Sequence, residues 1–301
     1  MTGQPLKPLH ALLALAVMIV WGTNFVVIKV ALAHLPPLTF AALRFTLALL
    51  PAVFFLKRPN VPWWNLAAYG LLIGVGQFGL LFIAMGHEIS PGLASLVVQT
   101  QAFFTIGLSM MLTGERVRGY QLAALAMAAA GLGWLMIHAG ADVTPLGLAL
   151  VLGAALSWAG GNTVSRRAGS VNMLAYVVWA SLFSAPPLIA LAIGLEGWPT
   201  VSGAIAHADA MTWAAVLYQS VGNTLFGYAA WGWLLGRYPA ATVSPLSLLV
   251  PVFGMAASAA VLHEPLSNWK LTAAALVLGG LAINTLWPAF QRRRFAAGRT
   301  A

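Results

Sequence analysis

The sequence predicts an all-α, polytopic membrane protein of ten transmembrane helices, arranged as two inverted five-helix repeats. Three observations carry this. Of 301 residues, 60% are apolar and 7% charged, where soluble domains carry about 25% charged residues. Apolar runs of membrane length recur throughout, and the charges between them sort by sign. A soluble domain could not solvate its surface with so few charges, whereas a surface facing lipid excludes them.

A bilayer core takes roughly 20 residues of helix. Ten segments meet that length: 9–33, 36–56, 63–86, 91–112, 117–138, 145–165, 172–194, 211–235, 240–262 and 267–287. The first imitates a secretory leader, with Lys7 before it and Ala31-Leu32-Ala33 at its end. It exceeds the ~7–15 residues of a leader core and contains Trp21, Asn24 and Lys29, so it reads as a span. Breaks carry turn chemistry: Pro36-Pro37, Arg58-Pro59-Asn60, Ser90-Pro91-Gly92, Thr113-Gly114-Glu115, Thr144-Pro145 and Tyr238-Pro239. The longest connection, 195–210, is expected outside the cell.

Twelve of the fifteen Lys/Arg residues occupy every second gap. They are Lys7, Lys57, Arg58, Arg116, Arg118, Arg166, Arg167, Arg237, Arg292, Arg293, Arg294 and Arg299. Glu88, Asp142, Glu196, Asp209 and Glu264 fill the intervening gaps. Basic loops stay in the cytoplasm, so both termini are expected there, in a bacterial inner membrane. Lys29 lies near the outer end of the first span and can snorkel to the interface. Arg44 lies mid-span and needs a partner or water, with no acid at comparable depth. Lys270 stands alone at an outer end.

Several classes drop out. The net charge of +9 forms no aromatic-interleaved stripe, so nucleic acid is not an expected partner. The absence of cysteine excludes disulfides and thiolate metal sites. An intramembrane enzyme would need an embedded Asp pair, a HExxH helix or a Gly-x-Ser-x-Gly elbow, and the chain has none. No cofactor is expected.

The halves resemble each other. Pro91-Gly92-Leu93-Ala94-Ser95 parallels Pro239-Ala240-Ala241-Thr242-Val243-Ser244, and Gly114-Glu115 parallels His263-Glu264. Gln121-Leu122 and Gly131 match Lys270-Leu271 and Gly280 at one offset. Trp21 with Asn24 parallels Trp158 with Asn162. Five spans per half force the second half into the bilayer upside down, with a substrate site at the midplane between halves. The predicted units are 1–142, the inverted repeat 143–290, and a basic cytoplasmic tail 291–301.

Trp21-Gly22-Thr23-Asn24-Phe25, Leu43-Arg44-Phe45, Gly114-Glu115 and His263-Glu264-Pro265-Leu266 together resemble the EamA family of the drug/metabolite transporter superfamily. The resemblance covers nearly the whole chain. Within the family the chain is most similar to the YddG-type exporters of aromatic amino acids, which also handle methyl viologen. Trp158-Ala159-Gly160-Gly161-Asn162 departs by an extra glycine from Trp21-Gly22-Thr23-Asn24. The resemblance implies an exporter of aromatic and other apolar amino acids working by alternating access. The alternative is the same fold exporting cationic drugs or another metabolite class. The expected partners are a small-molecule substrate and the lipid bilayer, and the chain is compatible with a monomer.

Polar side chains inside spans turn toward partners or a wet cavity. Candidate substrate contacts are Asn24, Gln77, Gln99, Asn162, Gln219, Asn223 and Ser244. Gln219 and Asn223, four apart, share a helical face; Gln99 and Gln101 do not, so at most one lines the centre. The deep aromatics Trp21, Phe78, Phe82, Trp158 and Trp179 are candidate walls of an organic-ligand pocket, and Tyr228 is a deep aromatic as well. Trp63, Trp64, Trp198, Trp213, Trp269 and Trp287 read as interfacial belt residues. Pro245 and Pro251 are the expected hinges in the ninth span, and the fourth and ninth spans the seam between moving halves. No Asp or Glu lies deep in any span, which points to facilitated diffusion or exchange. Accessibility labelling is expected to find Arg118 and Arg167 on the cytoplasmic face.

Overall fold

The computed structural model describes residues 6–113, 118–138, 142–238 and 240–297. Gly114, Glu115, Arg116 and Pro239 lie outside the described residues, as do 298–301. Among the described residues there is no strand, and a lone bridge pairs Ile89 with Val143. The helices are α1 (Pro8–Ala31), α2 (Pro37–Leu49), α3 (Trp63–His87), α4 (Pro91–Leu112), α5 (Gly119–His138), α6 (Pro145–Arg167) and α7 (Met173–Glu196). Then come the short α8 (Trp198–Ala206), α9 (210–237), α10 (240–262) and α11 (Asn268–Ala297).

Nine helical spans among the described residues are long and apolar enough to cross a membrane, the second counted as Pro37–Phe54, with the 3₁₀ turn that follows α2. The eighth predicted segment, α9, is continuous over 210–237 but falls short in apolarity. Gln219, Ser220, Asn223 and Thr224 sit buried in its middle. The 195–210 connection holds α8, and the expected tail continues α11 to Ala297.

Local chemistry sets the ends. Pro8, Pro37, Pro91 and Pro145 open helices where a missing N–H costs nothing. Thr144, Asn172 and Asp209 cap α6, α7 and α9, accepting from the backbone N–H three residues on. Gly197 ends α7 at φ 85°, a left-handed conformation that suits glycine.

The two halves carry matching interruptions. Nine residues of π-helix occur in α3 (Leu71–Gly79) and again in α9 (Tyr218–Phe226). A 3₁₀ turn breaks α4 at Val98–Thr100 and α10 at Ser244–Leu248. Pro245 therefore sits within a 3₁₀ turn and Pro251 in the first turn of the helix beyond it.

Symmetry is most explicit where α5 crosses α11. A methyl group on Gly131 would lie 2.9 Å from Val277 and 3.1 Å from the Ala273 carbonyl; one on Gly280 would lie 2.5 Å from the Ala124 carbonyl and 3.2 Å from the Ala128 nitrogen. Positions 131, 128 and 124 correspond to 280, 277 and 273 at one offset of 149. Reciprocal contacts are what a two-fold axis produces. As 124 rises to 131 the partner falls from 280 to 273, so the helices run antiparallel. The axis is then perpendicular to both helices, and an axis in the membrane plane is that of an inverted repeat.

One end of the bundle gathers the acids. Glu196, on α7, accepts from the Leu38 N–H (2.6 Å), the Thr39 N–H (2.9 Å) and the Thr39 hydroxyl (2.6 Å), anchoring the start of α2. His263 takes a left-handed conformation after α10 and turns Glu264 back toward α4. Glu264 accepts from Ser90 Oγ (2.5 Å), the Gly92 N–H (3.0 Å) and Ser258 Oγ. Lys270 is not alone: it is 1% exposed and bridges Glu264 (3.0 Å) to Asp142 (2.9 Å). Lys29 does not snorkel to the interface; its Nζ donates to the Met85 (3.2 Å) and Gly86 (2.9 Å) carbonyls at the end of α3. Lys57, Arg58, Arg118, Arg166, Arg167 and Arg237 are exposed.

Burial alone would raise the Glu264 carboxyl. The hydrogen bonds from Ser258, Ser90, Lys270 and Gly92 outweigh it and hold the group below the ordinary 4.5. A depressed carboxylate stabilises the fold above its unfolded value and loses that contribution as pH falls through the folded one. Thermal unfolding of the solubilised protein is expected to hold steady above the ordinary carboxyl value of 4.5 and to fall to lower temperature as pH drops below it. Glu264→Gln should lower the neutral-pH melting temperature and flatten that acid limb.

Candidate functional site

A cavity of about 70 Å³ lies between the halves, lined by Trp21, Asn24, Phe25, Gln77, Phe78, Leu81, Val98, Gln99, Trp158, Asn223, Tyr228 and Val250. Seven of the twelve expected contacts meet here: Trp21, Asn24, Gln77, Phe78, Gln99, Trp158 and Asn223. They come from α1, α3, α4, α6 and α9. Both π segments contribute, α3 through Gln77 and Phe78, and α9 through Asn223. A π segment displaces side chains from the regular helical spacing and tends to occur at functional positions.

The remaining five stand elsewhere. Phe82 is fully buried, stacked on Phe40 at 4.7 Å. Asn162 turns to α4 and donates to Gln101 Oε1 at 3.0 Å. Gln101 therefore faces α6, while Gln99 alone of the pair lines the cavity. Trp179 donates its indole N–H to the Leu56 carbonyl at 2.9 Å and packs on Trp63. Ser244 opens the 3₁₀ turn, where its carbonyl accepts from Ser247 Oγ at 2.7 Å. Gln219 lies one layer behind the cavity wall.

That second layer holds Arg44, which is 1% exposed. Its Nη1 donates to Gln219 Oε1 (2.8 Å) and its Nε to Thr224 Oγ1 (3.2 Å). A guanidinium only donates, which fixes the Gln219 oxygen toward it. Asn223 Nδ2 then donates to the same oxygen (3.1 Å) and to Asn24 Oδ1 (2.7 Å). The row Arg44–Gln219–Asn223–Asn24 thus crosses from the first half to the second and back, and ends in the cavity. Trp21 adds a bond to the Asn223 carbonyl at 3.2 Å.

Two buried amide atoms beside this row have no partner, Gln219 Nε2 and Gln77 Oε1. Gln77 is also a cavity-lining residue, and a buried acceptor without a donor is uncommon. Gln99 reaches across to the Ser247 carbonyl at 3.3 Å, within the 3₁₀ turn of α10. Seam packing is confined to one half of α4. Around Ser95, Gly22 and Gly254 approach so closely that a methyl on Gly254 would lie 2.6 Å from Ser95 Oγ. The other half of α4, from Gln101, packs chiefly on α6. No carboxylate lines the cavity, and no cluster of His, Cys, Asp or Glu among the described residues could hold a metal.

Tyr228 was named in the sequence as a deep aromatic, and it lines the cavity. Arg44's layer was not foreseen, because nothing in the sequence shows that α2 and α9 are neighbours. The π segments left no signal in the sequence either.

A membrane-embedded bundle of two related halves around a shared cavity defines the class of a polytopic transporter. The chain belongs to the EamA-like transporter family, whose sequence profile matches residues 9–137 and again 145–286. It is 43% identical over 291 residues to a probable amino-acid metabolite efflux pump of Salmonella typhimurium, covering 94% of this chain and 96% of that one. A protein of the same description from Escherichia coli K12 is 44% identical over 278 residues, covering 90% and 93%. A solved crystal structure aligns at TM-score 0.63 with 21% identity over 94% of this chain and 98% of its own, a likeness of fold.

Asn223→Ala would strip the donor shared by Gln219 and Asn24 and leave two buried acceptors short. The expected cost is about 1–3 kcal/mol in unfolding free energy, read as a lower melting temperature in detergent.

Proposed function

We propose that this protein exports small amphipathic metabolites across the bacterial inner membrane, chiefly aromatic and other apolar amino acids, by alternating access between two inverted repeats. The observation that carries the reading is the cavity itself. Its walls are aromatic and aliphatic, with amide groups from both halves at defined points, a make-up suited to a small organic solute with a polar head. The two relatives above 40% identity, both described as probable amino-acid metabolite efflux pumps, support amino-acid metabolites as the cargo. The sign sorting of the loops supports cytoplasmic termini.

Transport runs down the substrate gradient or by exchange, because no carboxylate lines the cavity to carry a proton. Uptake of radiolabelled tryptophan, threonine and methyl viologen into proteoliposomes tests the reading. Amino-acid flux without an imposed pH gradient is expected; a strict requirement for the gradient would overturn the energetic part. Absence of any amino-acid flux would overturn the substrate class. Trp158→Ala should slow tryptophan by about tenfold while sparing threonine, since truncating the half-buried indole removes about 1.4 kcal/mol of apolar contact with the ring.

A further inference from the structure

We propose that Arg44 is the counter-charge for a substrate carboxylate, and that the same unpaired charge excludes organic cations from the cavity. The inference rests on the amino-acid reading above and sharpens it to a charge rule. Every partner of Arg44 in the described structure is neutral: the Gln219 amide oxygen at 2.8 Å, the Thr224 hydroxyl at 3.2 Å, and the ring faces of Phe78 at 3.6 Å and Phe45 at 5.3 Å. The five acids within the described residues are engaged elsewhere. Glu88 binds Thr144, Asp142 and Glu264 bind Lys270, Glu196 anchors α2, and Asp209 caps α9.

A buried charge normally has an opposite partner, and a lone one is a standing electrostatic deficit. Here the deficit lies beside the cavity. Phe78 and Tyr228 line both the central cavity and a small void of about 10 Å³ that Arg44 itself lines. No charged side chain lines the central cavity to offset it. The potential there is positive, which attracts a carboxylate and repels a cation. The aromatic walls do not reverse this, because the face of Phe78, the natural seat for a flat cation, already holds the Arg44 guanidinium. The unpartnered Gln77 oxygen supplies a neutral acceptor for the ammonium end of a zwitterion. An amino acid satisfies both groups at once; an amine or a bipyridinium satisfies only the weaker.

The test uses two matched series competing for counterflow in proteoliposomes of the full chain. One series is tryptophan, indole-3-propionate and tryptamine; the other is leucine, 4-methylvalerate and isoamylamine, with methyl viologen added to both. Carboxylate-bearing members are expected to compete at least about tenfold better than the matched amines and methyl viologen. Arg44→Gln should bring that ratio close to one, whereas Arg44→Lys should keep its direction. A purely structural Arg44 would lower all fluxes together and leave the ratio unmoved, which overturns the proposal. So does a wild-type protein that takes tryptamine or methyl viologen as well as tryptophan. If Arg44→Gln does not fold, the wild-type ratios and Arg44→Lys decide. Carboxylate preference in the leucine series alone would sink the aromatic reading and leave the charge rule standing.

Discussion

A buried guanidinium held by an amide, a hydroxyl and a benzene ring is the constraint around which the centre of this protein is arranged. In a soluble protein water would solvate Arg44. In a bilayer the neighbouring helices must do so, and only a polar surface can. That requirement explains why α9 is the least apolar of the long helices: it supplies Gln219 and Thr224 directly, and its Ser220 hydroxyl donates to the Arg44 carbonyl at 3.1 Å. Asn223 extends the row because the Gln219 oxygen can accept twice. Asn24 closes it from α1. The polar axis so built crosses from one half to the other and back, fixing both halves around the cavity.

The same physics accounts for the two π segments. A wider turn shifts side chains from the face that regular spacing would give them. In α3 it accompanies Gln77 and Phe78 on the cavity wall while Phe82, one turn on, is buried against Phe40. In α9 it holds Gln219 behind the wall and Asn223 at it. Small residues do the complementary work where helices must touch. Gly70 and Gly74 lie against Ala180 and Ser184 of α7, leaving no room for a methyl group. Interhelical bonds such as Ser184 Oγ to the Gly70 carbonyl (2.7 Å) then lock the contact.

Much of this was legible in the sequence. Helix positions followed from apolar length and proline, glycine and acid-bearing turns, because a bilayer leaves few alternatives to a helix. The internal repeat followed from Gly131 and Gly280, which the fold turns into one reciprocal crossing. The cavity lining was readable by residue type but not by layer. Asn24, Gln77 and Asn223 reach the cavity, yet Gln219, Asn162 and Trp179 are equally polar or aromatic and equally deep. What separates them is which neighbour each helix faces, and that is tertiary information. Lys270 was misread for the same reason: its partner Asp142 lies 128 positions away across the repeat boundary, and the α5–α11 crossing brings them together.

The acid-rich end bears on how such a molecule could open. Two carboxylates there each join one half to the other at a helix N-terminus: Glu196 to α2 and Glu264 to α4. Opposite charge at a helix start is favourable, and each acid satisfies several N–H and O–H groups at once. On the alternating-access reading, opening this end would break those bonds together, at a distance from the cavity. The 3₁₀ turns of α4 and α10 stand next to the cavity, with Gln99 bridging them. A bend at these turns would move the helix segments beyond them while leaving the Arg44 row intact. The polar axis can therefore stay fixed as the ends exchange, which a transporter needs if the substrate site is to persist through the cycle.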